Sequence, residues 1–449
     1  MIRRVLIANR GEIAVRIIRT CRRLGIETVL AASEADLDSL PARMADHVTC
    51  IGPAPAARSY LNLDAILTAA REANADAIHP GYGFLSENAA LPRACAPAGL
   101  VFIGATEDQL RAVGDKWRAR EIAVRAGLPV VPGANVQTVG EAERAIAEIG
   151  FPILVKAVGG GGGRGMKRIM DSAQAAATIA LAMAEAEAAF GDSRVYLERY
   201  IRRGRHIEVQ VLGDGTNIVH LGTRDCSVQR RYQKLIEEAP APRLSDELRD
   251  HLHAAAVAYA RSIAYRGLGT VEFLVDRERE EFYFLEMNAR IQVEHPVTEA
   301  ITGLDLVAEQ IAVAEGRPLR FSQEDVRFRG HAVEFRINAE DEAHDFRPCP
   351  GTITHAAFPA GSGIRVDTHI EAGAKVPPFY DSLLAKIIVQ GGDRGEALAR
   401  ARAALASLDI RGVATNTAMH RSILDDDEFR AGAVTTDWFE ARRALDAAA

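Results

Sequence analysis

Apolar and polar residues alternate without a break through Glu286-Met287-Asn288-Ala289-Arg290-Ile291-Gln292-Val293-Glu294. A period of two sends successive side chains to opposite faces of an extended chain, so the pattern predicts a strand over 286–294. One face would carry Glu286, Asn288, Arg290, Gln292 and Glu294. An amphipathic strand with a wet face would explain the alternation by itself. Strands, however, favour Thr and other β-branched residues and are poor in Asn. Acids, amides and a guanidinium converging on one face read instead as a site.

Elsewhere the periodicity predicts three regions. Apolar runs at 5–8 and 28–32 flank a helical pattern through Ile13, Ile17 and Ile18. A helix over 63–73 and apolar runs at 77–79 and 100–104 continue the series. Strand, helix and strand in turn predict a parallel sheet covered by helices, Rossmann-like in outline, over residues 1–113. Only Gly11 follows the first strand, so the G-x-G-x-x-G of a dinucleotide site is missing. The pattern changes at Gly114-Asp115-Lys116, with a helix over 118–126 and a turn-rich hinge at 127–133. A helix over 141–149, a strand at 152–157, a glycine run and a helix over 173–190 follow. Strands are expected at 195–198, 207–213 and 217–224, with 271–276 and 281–287 paired as a hairpin. This second domain spans 114–320 and includes a mobile lid at about 130–205. The third, 321–449, is β-rich, with strands at 331–338, 351–357 and 386–389 and its last helix over 394–408. The fold class is α/β (α+β).

Composition narrows the function. The 449 residues are 48% hydrophobic, enough for a sizeable core and for two to four domains at ~150 residues each. Lys and Arg number 54 against 61 Asp and Glu, a charge of −7 that does not suit a chain whose main partner is nucleic acid. No apolar run reaches the ~18 residues of a membrane span, and the N-terminus lacks the apolar stretch and cleavage site of a signal peptide. The five cysteines, Cys21, Cys50, Cys95, Cys226 and Cys349, show no CxxC spacing and argue against zinc and disulfides alike. A reducing cytoplasm is the expected compartment.

Two features carry phosphate and metal chemistry. Ile153-Leu154-Val155-Lys156 feeds straight into Gly159 to Gly163, Arg164 and Gly165. Consecutive glycines let backbone N–H groups turn toward an anion. Met166 and Lys167 stand where a Walker A motif has Lys and Ser/Thr, so this is a phosphate lid of another kind. Lys116 and Lys156, each unremarkable alone, complete a nucleotide clamp with it. Thr270-Val271-Glu272-Phe273-Leu274 puts an acid inside an apolar strand, which is costly unless it is paired or bound to a cation. Pairing with an Arg is one reading. The other joins Glu272 to Glu286 and Asn288 as oxygen ligands for Mg²⁺ or Mn²⁺.

These segments, with Ile7 to Ala14, His79 to Asn88, Arg224-Asp225-Cys226-Ser227, Glu237 to Pro242, Arg290 to Pro296 and Arg336 to Asp341, resemble biotin carboxylase, a member of the ATP-grasp superfamily. The resemblance covers nearly the whole chain. It implies an ATP-grasp fold and a two-step reaction. Bicarbonate attacks the γ-phosphate of ATP to give carboxyphosphate and ADP, and the CO₂ released then carboxylates biotin. Lys234, Arg290, Gln292 and the Val293 N–H would hold bicarbonate, with Glu294 as general base. Arg336 would stabilise the enolate-like oxygen of deprotonated biotin, and Tyr82 would contact biotin. Lys116, Lys156, Gly162, Gly163 and two metal ions on Glu272, Glu286 and Asn288 would meet the phosphates. Adenine would sit at the hinge formed by Glu198, Arg199, Tyr200 and Ile201, near His206, Gln229 and Glu272. Tyr232 stands where relatives carry His. It can donate a hydrogen bond to nucleotide but brings no positive charge, so a weaker contact is expected there.

The chain carries no biotin-acceptor segment and no carboxyltransferase domain, so biotin would arrive on a biotin carboxyl carrier protein. The chain is expected to be free-standing, to form a homodimer and to work with a carboxyltransferase partner, in an acyl-CoA carboxylase most like acetyl-CoA carboxylase that leads to malonyl-CoA and fatty acid synthesis. The identity of the final acceptor lies outside the chain. An amine-coupling ATP-grasp ligase would share the loop and carboxylates but not need Arg336. A regulatory nucleotide-binding protein would not need Glu294.

Overall fold

The computed structural model describes residues 1–158 and 166–446. Gly162 and Gly163 lie outside the described residues. Five parallel strands open the chain: β1 (Arg4–Ile7), β2 (Glu27–Ala32), β3 (His47–Cys50), β4 (Ala77–His79) and β5 (Val101–Phe102). They lie in the order β3-β2-β1-β4-β5. Val5, Leu6 and Ile7 are all buried because helices cover both faces of the sheet, which is why β1 reads as an unbroken apolar run.

A second, four-stranded antiparallel sheet comprises β6 (Gly133–Val136), β7 (Ile153–Ala157), β8 (Lys167–Ile169) and β9 (Val195–Arg199), in the order β6-β9-β7-β8. With helices Val139–Ile149 and Ala175–Phe190 it closes around its own core, including Ile146, Val155, Ile179 and Leu197.

The third sheet is the frame of the molecule. It runs through β10 (Gly204–Asp214), β11 (Ile218–Arg230), β12 (Gln233–Ala239), β13 (Arg266–Asp276), β14 (Glu281–Asn288) and β15 (His331–Asn338), and ends in strands Leu383–Gly391 and Ile364–Thr368. The order is β14-β13-β10-β11-β12-β15, then Leu383–Gly391 and Ile364–Thr368, antiparallel throughout. One continuous sheet therefore joins strands of the middle and last regions of the chain.

Three expectations are corrected. The alternation over 286–294 is not one strand: β14 stops at Asn288 and a helix starts at His295. Between them the chain turns inward, so that Gln292 and Glu294 bond to groups in the sheet rather than face water. The strand expected at 351–357 is two, Gly351–Thr352 and His355–Ala357, which pair with different partners. Helix Arg394–Ser407 is not the last. Thr417–Asp425, Asp427–Arg430 and Trp438–Asp446 follow, short segments whose Met419, Ile423, Phe429 and Trp438 fill the core under the large sheet.

Candidate active site

Glu208, Glu272 and Glu286 stand side by side across three strands, because Glu208 on β10 is paired in register with Glu272 on β13, and Glu272 with Glu286 on β14. Like charges directly opposite one another destabilise a sheet. Their neighbours Ile207, Val209, Val271, Phe273 and Met287 face the core, leaving the acids together on the other face. Cations from other segments compensate. Lys234 Nζ ion-pairs with Glu208 and lies 3.2 Å from Glu272 Oε1 and 2.7 Å from Glu294 Oε1. His206 Nε2 lies 2.9 Å from Glu272 Oε2 and 3.4 Å from Glu208 Oε1.

The ionisation of the cluster follows from this arrangement. Burial works against charge on His206, but Glu272 and Glu208 outweigh it and raise the imidazole to about 10. Burial likewise opposes charge on Lys234, and the surrounding carboxylates, Glu208 foremost, hold it well above the ordinary lysine value. Burial pushes Glu208, Glu272 and Glu294 up, yet Lys234 and its companion cations bring all three below the usual carboxylate range. Glu286 differs: burial and then the charge of Glu272 raise it, and Lys116 opposes them only in part.

Arg224 on β11 underlies the cluster. It is fully buried and donates to Glu208, Gln210, Thr270, Thr298 and Gln292 at 2.6–3.1 Å. Gln292 in turn donates to Glu272 Oε1 at 2.9 Å, as Asn288 Nδ2 does at 2.8 Å. Arg336 reaches in from β15, with Nη2 2.9 Å from Glu294 Oε2 and Nε donating to Glu237 at 2.6 Å. Arg290 donates to Asn288 Oδ1 at 2.8 Å and pairs with Glu87 at 3.0 Å. Val293 offers its carbonyl to Lys386 Nζ at 2.8 Å, and Lys386 pairs with Glu12 at 3.1 Å. The Tyr82 hydroxyl donates to the same Glu12. Gly81, at φ +61°, directs the loop carrying Tyr82; a Cβ there would lie 2.9 Å from Asn9 Nδ2, which donates to the carbonyls of Pro80 and Tyr82.

Of the expected nucleotide residues, Lys116, His206 and Gln229 bear on this cluster. Lys116 starts helix Lys116–Arg125 and bears electrostatically on Glu286. Lys156 on β7 pairs with Glu198 on β9 at 2.5 Å. The Arg199 and Tyr200 amides donate to the carbonyls of Pro132 and Pro152, while Ile201 is buried. Gln229 Nε2 lies 3.2 Å from His206 Nδ1. Arg231 and Tyr232 form the β11–β12 turn with φ of +48° and +66°, a conformation that suits Asn or Gly better. The turn presents the Tyr232 hydroxyl to Arg168 of β8, whose guanidinium sits 4.8 Å over the Tyr200 ring.

Two groupings bear on a metal. Ligand atoms of His206, Glu208 and Glu272 lie within 4.8 Å of one another, but Lys234 and the protonated His206 already balance their charge. Glu272 with Glu286 fits a cation better, since burial and the charge of Glu272 raise Glu286 and Lys116 offsets them only in part. Asn288 would have to release Arg290 to offer its oxygen.

Reasoning from sequence assigned no role to Glu208, Arg224, Glu87, Glu237 or Lys386. Glu208 carries the same signal as Glu272, a carboxylate within the apolar strand Ile207-Glu208-Val209. Lys386 lies in an apolar strand too, fully buried.

Comparison with known proteins agrees with this architecture. Residues 1–110 match the biotin carboxylase N-terminal domain, 115–322 the ATP binding domain of the carbamoyl-phosphate synthase L chain, and 334–441 the biotin carboxylase C-terminal domain. The chain is 49% identical to biotin carboxylase of Pseudomonas aeruginosa over 99% of its length and 100% of that protein. It is 48% identical to one component of the pyruvate carboxylase of Methanothermobacter thermautotrophicus, over 100% of this chain and 91% of that one. A biotin carboxylase domain dimer of the 2-oxoglutarate carboxylase from Hydrogenobacter thermophilus, solved with MgADP, ADP and bicarbonate, superposes with a TM-score of 0.94 at 46% identity, over 99% of this chain and 98% of that chain.

Proposed function

The chain belongs to the biotin carboxylase family, ATP-dependent ligases that carboxylate biotin, and we propose that it does so through carboxyphosphate, with the residues of the buried cluster in the roles that follow. The observation that carries this reading is Glu294: a buried carboxylate held ionised between Lys234 and Arg336.

Bicarbonate is an anion attacking a polyanion, so cations must gather it. Lys234, Arg290, the Gln292 amide and the Val293 N–H do this. Glu294 takes the bicarbonate proton as oxygen attacks the γ-phosphorus and the bond to ADP breaks. Lys116 and Lys156 hold ATP and neutralise the phosphoryl group in transit. A divalent cation, Mg²⁺ or Mn²⁺, held by Glu272, Glu286 and Asn288, would add neutralising charge to the phosphates when bound. Carboxyphosphate then yields CO₂ and phosphate, and phosphate removes the ureido proton. Arg336 stabilises the resulting oxyanion while nitrogen attacks CO₂, with Tyr82 beside biotin. Glu198 to Ile201, His206, Gln229 and Tyr232 line the nucleoside side.

The domains are assigned as 1–113, 114–320 with a lid at about 130–205, and 321–449. Biotin is delivered on a carrier protein, a carboxyltransferase takes the carboxyl group onward, and the chain acts as a homodimer. Acetyl-CoA is the proposed acceptor, giving malonyl-CoA. Relatives that belong to pyruvate and 2-oxoglutarate carboxylases supply a second reading, in which a 2-oxo acid takes its place. Among the described residues no helix is long and apolar enough to cross a membrane.

ADP release with Mg²⁺ and ATP, with and without bicarbonate and free biotin, tests the reading: release dependent on both is expected, and indifference to biotin would sink it. Glu294→Gln lowers that release about 10²–10⁴-fold, the usual contribution of a general base. Adding carrier and carboxyltransferase, then assaying acetyl-CoA against pyruvate and 2-oxoglutarate, decides the acceptor.

A further inference from the structure

Behind Arg336 lies a second pair of acids. Glu237 on β12 and Glu334 on β15 are directly opposite in register, which brings Cβ atoms to about 5 Å in an antiparallel pair. Both are 0% exposed. Glu237 Oε1 accepts from Arg336, but Glu237 Oε2 and both oxygens of Glu334 have no hydrogen-bond partner. Buried carboxyl oxygens without partners call for a proton, a water or an ion. Arg336, two residues beyond Glu334, already faces Glu294 as well as Glu237. Three full negative charges around it would cancel the positive charge that an incoming oxyanion needs.

We propose that Glu237 and Glu334 together hold one proton, and that this proton keeps the charge of Arg336 available to the ureido oxygen of biotin. Glu334 is thus a positioning residue for the biotin step, acting through Arg336. The inference rests on the role given to Arg336 above.

The surroundings support a shared proton. The groups facing Glu334 are Glu237 from β12, Arg336 on its own strand, Lys386 from strand Leu383–Gly391, and Glu294, next in the chain to His295 where the following helix begins. Lys386 is occupied by the Val293 carbonyl and Glu12, and burial together with Lys386 keeps His295 neutral. Burial, with Glu237 opposite, raises Glu334 well above the usual carboxylate range, and burial raises Glu237 to about 7. At neutral pH the pair carries one negative charge. As pH rises the proton leaves, a second negative charge appears beside Arg336, and the biotin step slows.

The test is the pH profile of Glu334→Gln, which has the shape of the protonated acid and cannot ionise. Biotin-dependent and biotin-independent ADP release are measured from pH 6.5 to 9.5. Glu334→Gln is expected to match wild type near pH 7 and to exceed it by at least about tenfold at the alkaline end, below the full effect of one charge a few ångströms away at an effective dielectric of 20. The biotin-independent rate is expected to keep its wild-type profile. A biotin-dependent profile identical to wild type overturns the inference, as does a folded variant inactive at every pH, which would mean that an ionised Glu334 is required. Glu237→Gln, whatever its overall rate, must also lose the alkaline fall, and its retention is equally fatal; this arm stands if Glu334→Gln does not fold. Wild type without any biotin-dependent release would instead defeat the parent reading, so the two failures are told apart.

Discussion

The large sheet and the four-stranded sheet both carry charged pairs that the proposed reaction would use, but they hold them differently. In the large sheet the Arg224–Glu208 pair is fully buried, 0% exposed on both sides, and tied into a network that is complete without ligand. In the smaller sheet Lys156 pairs with Glu198 at side-chain exposures of 24% and 10%. Lys167 on β8 pairs with Glu185 of helix Ala175–Phe190 at 3.0 Å, with Glu185 half exposed. Chemistry that must place a base, a guanidinium and an anion to within fractions of an ångström belongs on a preorganised frame. Were the proposed lid to open and close on phosphate, a separate unit with its own core would suit it.

The sharpest way to break this contrast is to remove a charge from each side. Arg224→Met leaves Lys234 and His206 on Glu208 but removes the buried donor shared by Glu208, Gln210, Thr270, Thr298 and Gln292, so stability should fall by about 3–5 kcal/mol; chemical denaturation would measure it, and a loss under ~1 kcal/mol would mean the network is not structural. Glu238 gives the pH version at the far side of the same sheet. Burial works to raise it, but bonds from His331 at 2.9 Å and Arg394 at 2.6 Å hold it at about 2. A depressed carboxyl stabilises the fold above its unfolded-state value and loses that contribution as pH falls through the folded value. Between pH ~4.5 and ~2 the protein should therefore lose about 3 kcal/mol through this group, and Glu238→Gln should have lost it already at pH 7. Unfolding curves of the two proteins should converge at acid pH.

Lys156→Met should behave oppositely to Arg224→Met: stability within about 1 kcal/mol of wild type, as for a partly exposed pair, but KM for ATP raised about tenfold, equivalent to ~1.4 kcal/mol of binding. The smallest effect is expected from Tyr232→Phe, which removes the hydroxyl facing Arg168 of the smaller sheet, a polar contact worth about 1 kcal/mol at most. KM for ATP should change by about threefold or less with kcat held, and amides of 130–205 should exchange faster with ATP bound. Equal exchange in both proteins would show that Tyr232 does not hold the lid.

Much was legible along the chain because it is local. Periods of two and 3.6 report which face of an element meets a core, and so strands such as β4 and β15 were found to the residue. Glu272 stood out because an acid in an apolar strand needs a partner wherever that strand goes. The end of β14 was not legible, since alternation continues past Asn288 while the backbone turns away. The late helices were missed because segments of four to nine residues carry too few turns to establish a period.

The sequence alone determined the element types, the order of the regions and the family of chemistry, through residue types that cost too much free energy to bury without purpose. Tertiary structure decided which charges meet. Glu208 faces Glu272 across 64 residues of chain, Glu237 faces Glu334 across 97, and Lys234 reaches Glu294 across 60. Strand register sets the first two encounters, and the inward turn after Asn288 sets the third. Register depends on how whole faces of the sheet are buried, and a one-residue slip would send the paired strand carboxylates to the opposite side.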